Sequence, residues 1–231
     1  MRTFPLVLVF FSVVAAKASE PITVYGGKAH AWAIKSDNDA EAQLRKGDLD
    51  GAGRSVAEAL RRDPSYWPAL YTRARIFSRL QKWDLTIRDC TELLRQDSTF
   101  ALAALLRAQA NFALRNYSAA RKELDHIVAI QPREQFYALA FNQRAWFRAT
   151  CPDPSFRDAR GAIDDAKKAC NITNWREADP IDTLAVAYAA TGDFDSAVRY
   201  VEKAMQAYDA GEITKILQQQ LALFKEHRPI R

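Results

Sequence analysis

Glycine and proline are scarce in this chain, eight and nine among 231 residues. These two residues most penalise helix interiors, so their scarcity amid abundant Ala, Leu, Arg and Glu excludes a strand-and-turn fold and favours long helices. Only three cysteines occur, Cys90, Cys151 and Cys170. A small, odd number excludes a disulfide-stapled scaffold, and stability has to come from helix packing. Histidine is as rare, at His30, His126 and His227. No His-x-x-x-His or Cys-x-x-Cys spacing is present, so the sequence offers neither a metal site nor a nucleophile beside a base. The three histidines read as surface residues. Gly26-Gly27 and Gly51-Ala52-Gly53 lack the strand and further glycines of a phosphate loop. No cofactor and no catalytic residue is expected.

Charge of one sign is missing as well. The formal net charge is +5, and the doublets Arg61-Arg62 and Lys167-Lys168 lie among acidic residues, as on a solvated helix face. Nucleic acid is therefore not an expected partner. Asp164-Asp165 is the conspicuous acidic pair, but adjacent helix positions point about 100° apart, so the two carboxyls cannot share a substrate and read as solvated surface. The chain's one long apolar run, Phe4 to Ala16, is shorter than the roughly 20 residues needed to span a bilayer. With Arg2 before it and Ala16-Lys17-Ala18 after it, the run has the three parts of a secretory signal, cut after Ala18. Residues 1–18 are expected to be removed and 19–32 to form a linker, giving an exported, periplasmic or secreted protein. Loss of Arg2 and Lys17 takes the formal charge from +5 to +3. Asn116-Tyr117-Ser118 and Asn171-Ile172-Thr173 match the N-glycosylation pattern and are expected to stay bare outside a eukaryotic secretory route.

What the chain does have is a period of 34 residues. Leu49, Trp83 and Tyr117 form one column, Ala52, Thr86 and Ala120 a second, Pro64, Ser98 and Pro132 a third, and Ala40, Ala74, Ala108 and Asn142 a fourth. The columns make sense if each unit is a pair of antiparallel helices stacked on the next. Small residues sit where backbones touch, a large residue fills the turn, and proline ends the second helix because it cannot continue the hydrogen-bond ladder. The heptapeptide Lys46-Gly47-Asp48-Leu49-Asp50-Gly51-Ala52 is echoed by Thr191-Gly192-Asp193-Phe194-Asp195-Ser196-Ala197. The pattern of small, aromatic, small and proline residues resembles the tetratricopeptide repeat (TPR). It implies an all-α, right-handed α-solenoid of about five helix pairs and a C-terminal cap.

On this register a single domain spans 33–231. Repeats fall at about 33–66, 67–100, 101–134, 135–177 and 178–211, and the capping helix at 212–226. Repeat four departs from the pattern, because Ala149-Thr150-Cys151-Pro152-Asp153-Pro154-Ser155-Phe156 lengthens its inner turn. Residues 135–231 resemble the TPR module that closes many bacterial multidomain and exported proteins, in the strings Asn142 to Pro154, Ala169 to Trp175, Asp182 to Phe194 and Lys225 to Pro229. That resemblance implies a bacterial envelope or secreted protein and brings no reaction with it.

In a TPR stack the concave face comes from the first helix, helix A, of each pair. The inward positions here are Tyr71, Arg75, Ser78 and Arg79, then Leu105, Gln109 and Phe112, then Leu139, Gln143 and Trp146. Arginines giving way to aromatics suit a peptide that carries a carboxylate followed by apolar anchors. The same aromatics also fit as core between neighbouring helices. Cys90 reads as a buried thiol. Cys151 and Cys170 can form a disulfide only if the long turn folds back along the helix between them. The function expected is a non-enzymatic scaffold that binds a protein or peptide in its groove. The alternative is a structural subunit that docks through its convex face or capping helix.

Overall fold

The computed structural model describes residues 28–131, 134–207 and 212–230. The expected signal, residues 19–27 of the expected linker and Pro132 lie outside the described residues. Eleven α-helices and no strand occur among the described residues. They are α1 (Lys28–Arg45), α2 (Leu49–Arg62), α3 (Trp67–Arg79), α4 (Trp83–Gln96), α5 (Ala101–Ala113), α6 (Tyr117–Ala129), α7 (Glu134–Thr150), α8 (Ala159–Ile172), α9 (Ala178–Thr191), α10 (Phe194–Ala207) and α11 (Glu212–Lys225). The expected linker is thus helical from Lys28. Packing groups the described residues into two compact units, 28–116 and 117–230, a division that the repeat register does not announce.

The columns of the sequence become positions in the helix pairs. Leu49, Trp83 and Tyr117 are the first residues of α2, α4 and α6. Ala40, Ala74 and Ala108 are buried in the preceding helices, and Ala52, Thr86 and Ala120 are fully buried early in the following ones. Any larger side chain there would hold the two backbones apart. Gly47 and Gly192 close α1 and α9 with φ of +81° and +85°, the left-handed conformation that glycine adopts without a Cβ clash. One residue on, Asp48 and Asp193 cap the next helix, their carboxylates accepting the Gly51 and Ser196 amides at 2.8 Å and 3.0 Å. The echoed heptapeptide is therefore one device used twice: a left-handed stop followed by a carboxylate start.

In the first unit, Ala40 and Leu44 of α1 pack on Ala52 and Val56 of α2, with Ile76 of α3 closing the cluster. In the second, the core runs from Ala145 and Trp146 of α7 through Ala166 and Cys170 of α8 and Leu184 of α9 to Val201 of α10. Leu217 and Phe224 of α11 join the same core, each contributing roughly 1.5–3 kcal/mol by burial and fixing the capping helix to the unit.

Helix A is tied to helix B by polar pairs as well as by packing. The seventh residue of α2, α4 and α8 is in turn Ser55, Asp89 and Asp165. Ser55 donates to Gln43 at 2.9 Å. Asp89 accepts both Nε and Nη2 of Arg73, and Asp165 accepts Nε and Nη2 of Arg144 and Nη1 of Arg148. Asp165 is only 1% exposed, against the sequence expectation of a solvated pair. Asp164 is on the surface as expected. A buried carboxylate is tolerated at that position because two guanidinium groups supply fork-shaped donors.

The long turn of repeat four is ordered. Arg157 donates to the carbonyls of Cys151 and Pro152, and the Asp158 amide returns to the Arg148 carbonyl at 3.0 Å. A single 3-10 turn, Pro154–Phe156, brings the Phe156 ring onto Tyr117 of α6 and Phe147 of α7 at 6.0 Å and 6.2 Å. Arg121 of α6 lies over the Phe156 ring, 5.7 Å from its centroid. Asp158 then caps α8 through the Gly161 amide.

Candidate functional site

The candidate groove residues divide between the two units, so each set is described by itself. In the first unit, α1, α3 and α5 are the helices A. Arg75 of α3 is bonded to Glu41 of α1, and the same Glu41 oxygen accepts the Thr72 hydroxyl at 3.0 Å. The Arg75 guanidinium also stands 5.7 Å from the Tyr71 ring centroid. Arg79 is exposed at its end of α3 and donates through Nη1 to the Leu44 carbonyl at 2.9 Å, satisfying an acceptor in the last turn of α1. Gln109 of α5 is buried and Phe112 half-buried.

Two consequences follow. Arg75 is 7% exposed and its charge is neutralised within the unit, so the face is charge-balanced where the sequence reading expected a cationic end. Second, the face includes an acidic partner set, Asp37 and Glu41, that the sequence reading missed. Glu41 precedes Arg75 by one repeat interval, and the opposite charges in one column were the signal available. Burial pushes the Asp37 carboxyl up from 3.8 to about 6, with Glu41 adding to the rise while the Thr72 hydroxyl and Arg75 oppose it. Its Oδ1 and the Tyr71 hydroxyl are buried without a hydrogen-bond partner. Burial raises the Tyr71 hydroxyl above its ordinary value too.

In the second unit, Trp146 of α7 is buried in the core cluster. Gln143, three residues earlier on the same helix, is buried too. The polar residues here sit deeper than those of the first unit: Asp182 and Thr183 of α9 and Gln220 of α11 are fully buried. The Gln220 amide lies 3.4 Å from Asp182 Oδ2, while Asp182 Oδ1, Thr183 Oγ1 and Gln220 Oε1 have no partner. The interval that separates Asp48 from Asp193 also separates Asp37 from Asp182. The two buried carboxyls therefore hold the same place in their repeats, and burial raises Asp182 to about 8.

Cys90, Cys151 and Cys170 are all buried, and no disulfide joins any two of them. The fold-back that a Cys151–Cys170 bridge would require does not occur, because Asp158 returns to the end of α7 and leaves Cys170 near the far end of α8, about three turns away. His126 and His227 are on the surface. His30 departs from that expectation: its Nδ1 meets Asp63 at 2.7 Å and its ring lies edge-on to Tyr66. Among the described residues no group of His, Cys, Asp and Glu could hold a metal ion, and no helix is long and apolar enough to cross a membrane.

No family model matches the chain. Among solved structures, TTC0263, a thermophilic TPR protein of Thermus thermophilus, is similar at a TM-score of 0.70 and 19% identity, over 83% of this chain and 100% of that one. PilF of Pseudomonas aeruginosa is similar at 0.68 and 15%, over 87% of each chain. YrrB, a TPR protein with an unusual peptide-binding site, is similar at 0.54 and 16%, over 81% of this chain and 92% of its own. These likenesses establish the fold: the chain is built of tetratricopeptide-type helix pairs.

Proposed function

We propose that this chain is an exported, non-enzymatic interaction module that holds an extended peptide or partner helix against the helix A face of its first unit. The observation that carries the reading is the set Glu41, Thr72 and Arg75, bonded to one another, with Arg79 held on the Leu44 carbonyl. It holds polar groups, among them the oppositely charged side chains of Glu41 and Arg75, in fixed positions on adjacent helices. Helix packing alone is satisfied by alanine and leucine and does not call for such a set. That YrrB, of the same fold, has a peptide-binding site supports the reading, as does the lack of any paired nucleophile and base in the sequence. The apolar run with its small-residue cleavage motif supports export.

Because Arg75 is neutralised by Glu41, the peptide is read mostly through its main chain and apolar side chains, with salt sensitivity confined to Arg79. Selection of displayed peptides on the purified chain from residue 19 onward tests this. Arg79→Ala should weaken the selected peptide about tenfold and flatten its salt dependence. Unchanged affinity would rule this groove out. Concentration-dependent mass by light scattering, with burial of α11, would instead favour the structural-subunit reading.

A further inference from the structure

The connector between α8 and α9 differs from the earlier ones. After α2 and α4 the chain leaves through Asp63 and Asp97 in extended conformation, and those carboxylates accept the amides of Ser65 and Thr99. After α8 it passes through Asn174 and Trp175, with φ of +51° and +59°. Among the described residues this is the only pair of consecutive non-glycine residues in the left-handed region. A tryptophan there is sterically costly, and such outliers persist where the surroundings over-determine them. Two bonds hold this one: the Trp175 amide donates to the Cys170 carbonyl at 2.7 Å and the indole Nε1 to Asn171 at 3.0 Å.

The result is a three-ring stack at the surface of the second unit. Trp175 lies on Tyr200 of α10 at 6.1 Å and 22°, and Tyr200 on Tyr188 of α9 at 5.4 Å and 3°. All three rings are half-buried. Three exposed cations stand over them: Lys203 is 4.3 Å from the Trp175 centroid, Arg199 5.6 Å from Tyr200 and Lys167 5.7 Å from Tyr188. Elsewhere on the surface arginines are paired within their own helices, Arg61 and Arg62 with Glu58 and Arg95 with Glu92. Here no ion pair with a carboxylate forms among the described residues. Glu202, on the same helix as Lys203, pairs with Lys225 of α11.

We infer that the Trp175, Tyr200 and Tyr188 stack, with Lys203, Arg199 and Lys167 over its rings, is a second docking surface that takes an acidic protein segment interleaved with aromatic side chains. It lies in the other unit from the groove proposed above and does not depend on it. Cations held over aromatic faces keep N–H donors turned to water, so carboxylates can reach them without breaking the cation–ring contacts. Half-buried tryptophan and tyrosine supply apolar area at little entropic cost, which is why such residues recur as interface anchors. Three cations are too few to neutralise a run of nucleic-acid phosphates.

The test uses the full chain and a short fluorescein-labelled peptide in which glutamates alternate with phenylalanines, followed by anisotropy. An all-glutamate peptide, heparin and phosphatidylglycerol vesicles serve as comparison probes. The mixed peptide is expected to bind more tightly than the all-glutamate one. Lys203→Glu with Lys167→Glu should weaken it about tenfold or more, whereas Arg54→Glu on α2 of the first unit should leave it unchanged. Trp175→Ala should remove the preference for phenylalanine, with a circular dichroism melt confirming the fold. Lys203→Gln, which leaves every ring in place, should weaken both peptides. Equal binding of the two peptides, or equal loss from Arg54→Glu, overturns the inference. Tighter binding of heparin or vesicles, lost in the same lysine variants, overturns it in favour of a polyanion or lipid surface.

Discussion

Replacing Asp182 with asparagine probes the interior of the second unit most directly. The carboxyl is fully buried between α9 and α11, within 3.4 Å of the Gln220 amide, with one oxygen unpartnered. Burial is the main cause of its rise from 3.8 to about 8, and the Asp179 charge adds to it while Gln220 opposes it. Between those two values the folded chain holds a proton that the unfolded chain has released. Stability is therefore highest below the unfolded value, falls as pH rises through the window, and levels off above the folded value. Each pH unit in the window costs about 1.4 kcal/mol, so the whole of it withdraws on the order of 5 kcal/mol. Asparagine is neutral throughout. The variant should match the parent near about pH 3, below the unfolded value, and exceed it by roughly a few kcal/mol near about pH 9. Hydrogen exchange of the α9 and α11 amides across that range, corrected for intrinsic rates, reads the effect where it arises. Parallel pH profiles for parent and variant would refute the reasoning. So would a variant less stable than the parent at alkaline pH.

Two further outcomes are expected. Asp165→Asn should destabilise the second unit by about 3–5 kcal/mol in urea titration, because Arg144 and Arg148 lose a buried partner, whereas Asp164→Asn should stay within about 0.5 kcal/mol of the parent. Burial raises the Cys151 thiol and pushes Cys170 up to about 12, so alkylation of either should wait for unfolding. The denatured, unreduced chain should then titrate three thiols; a single thiol would mean that Cys151 and Cys170 are joined.

The repeat register was legible in the sequence because it depends on size at fixed intervals. Ala40, Ala52, Leu49 and their column mates report a backbone spacing that only small or turn-filling residues satisfy, and each stands in the structure where its column places it. Buried polar partners were harder to see. Asp165 looks like its neighbour Asp164 until the rotation of α8 and the reach of Arg144 are known. Asp182 is silent in the same way, since Gln220 lies in a different helix pair. The candidate groove was half legible: the helix A positions can be counted off the repeat register, but whether Arg75 faces a ligand or Glu41 depends on a neighbour one repeat away. Trp175 stands out in the sequence only as the end of the string Ala169 to Trp175, while its left-handed backbone follows from a bond to Cys170 that no local pattern announces.

A lengthened turn with two prolines is ordinarily where a chain can be cut, tagged or extended at little cost. The turn in repeat four is the opposite kind of place. Phe156 touches both α6 and α7, and Arg157 ties the turn's own carbonyls back to its base. An insertion at Asp153 to Ser155 would pull that ring out of its seat and loosen the hold it keeps on both helices. Epitope tags and protease sites meant to leave this protein intact belong instead in the short bend at Leu80 to Lys82, where the side chains are exposed and bear no comparable clasp.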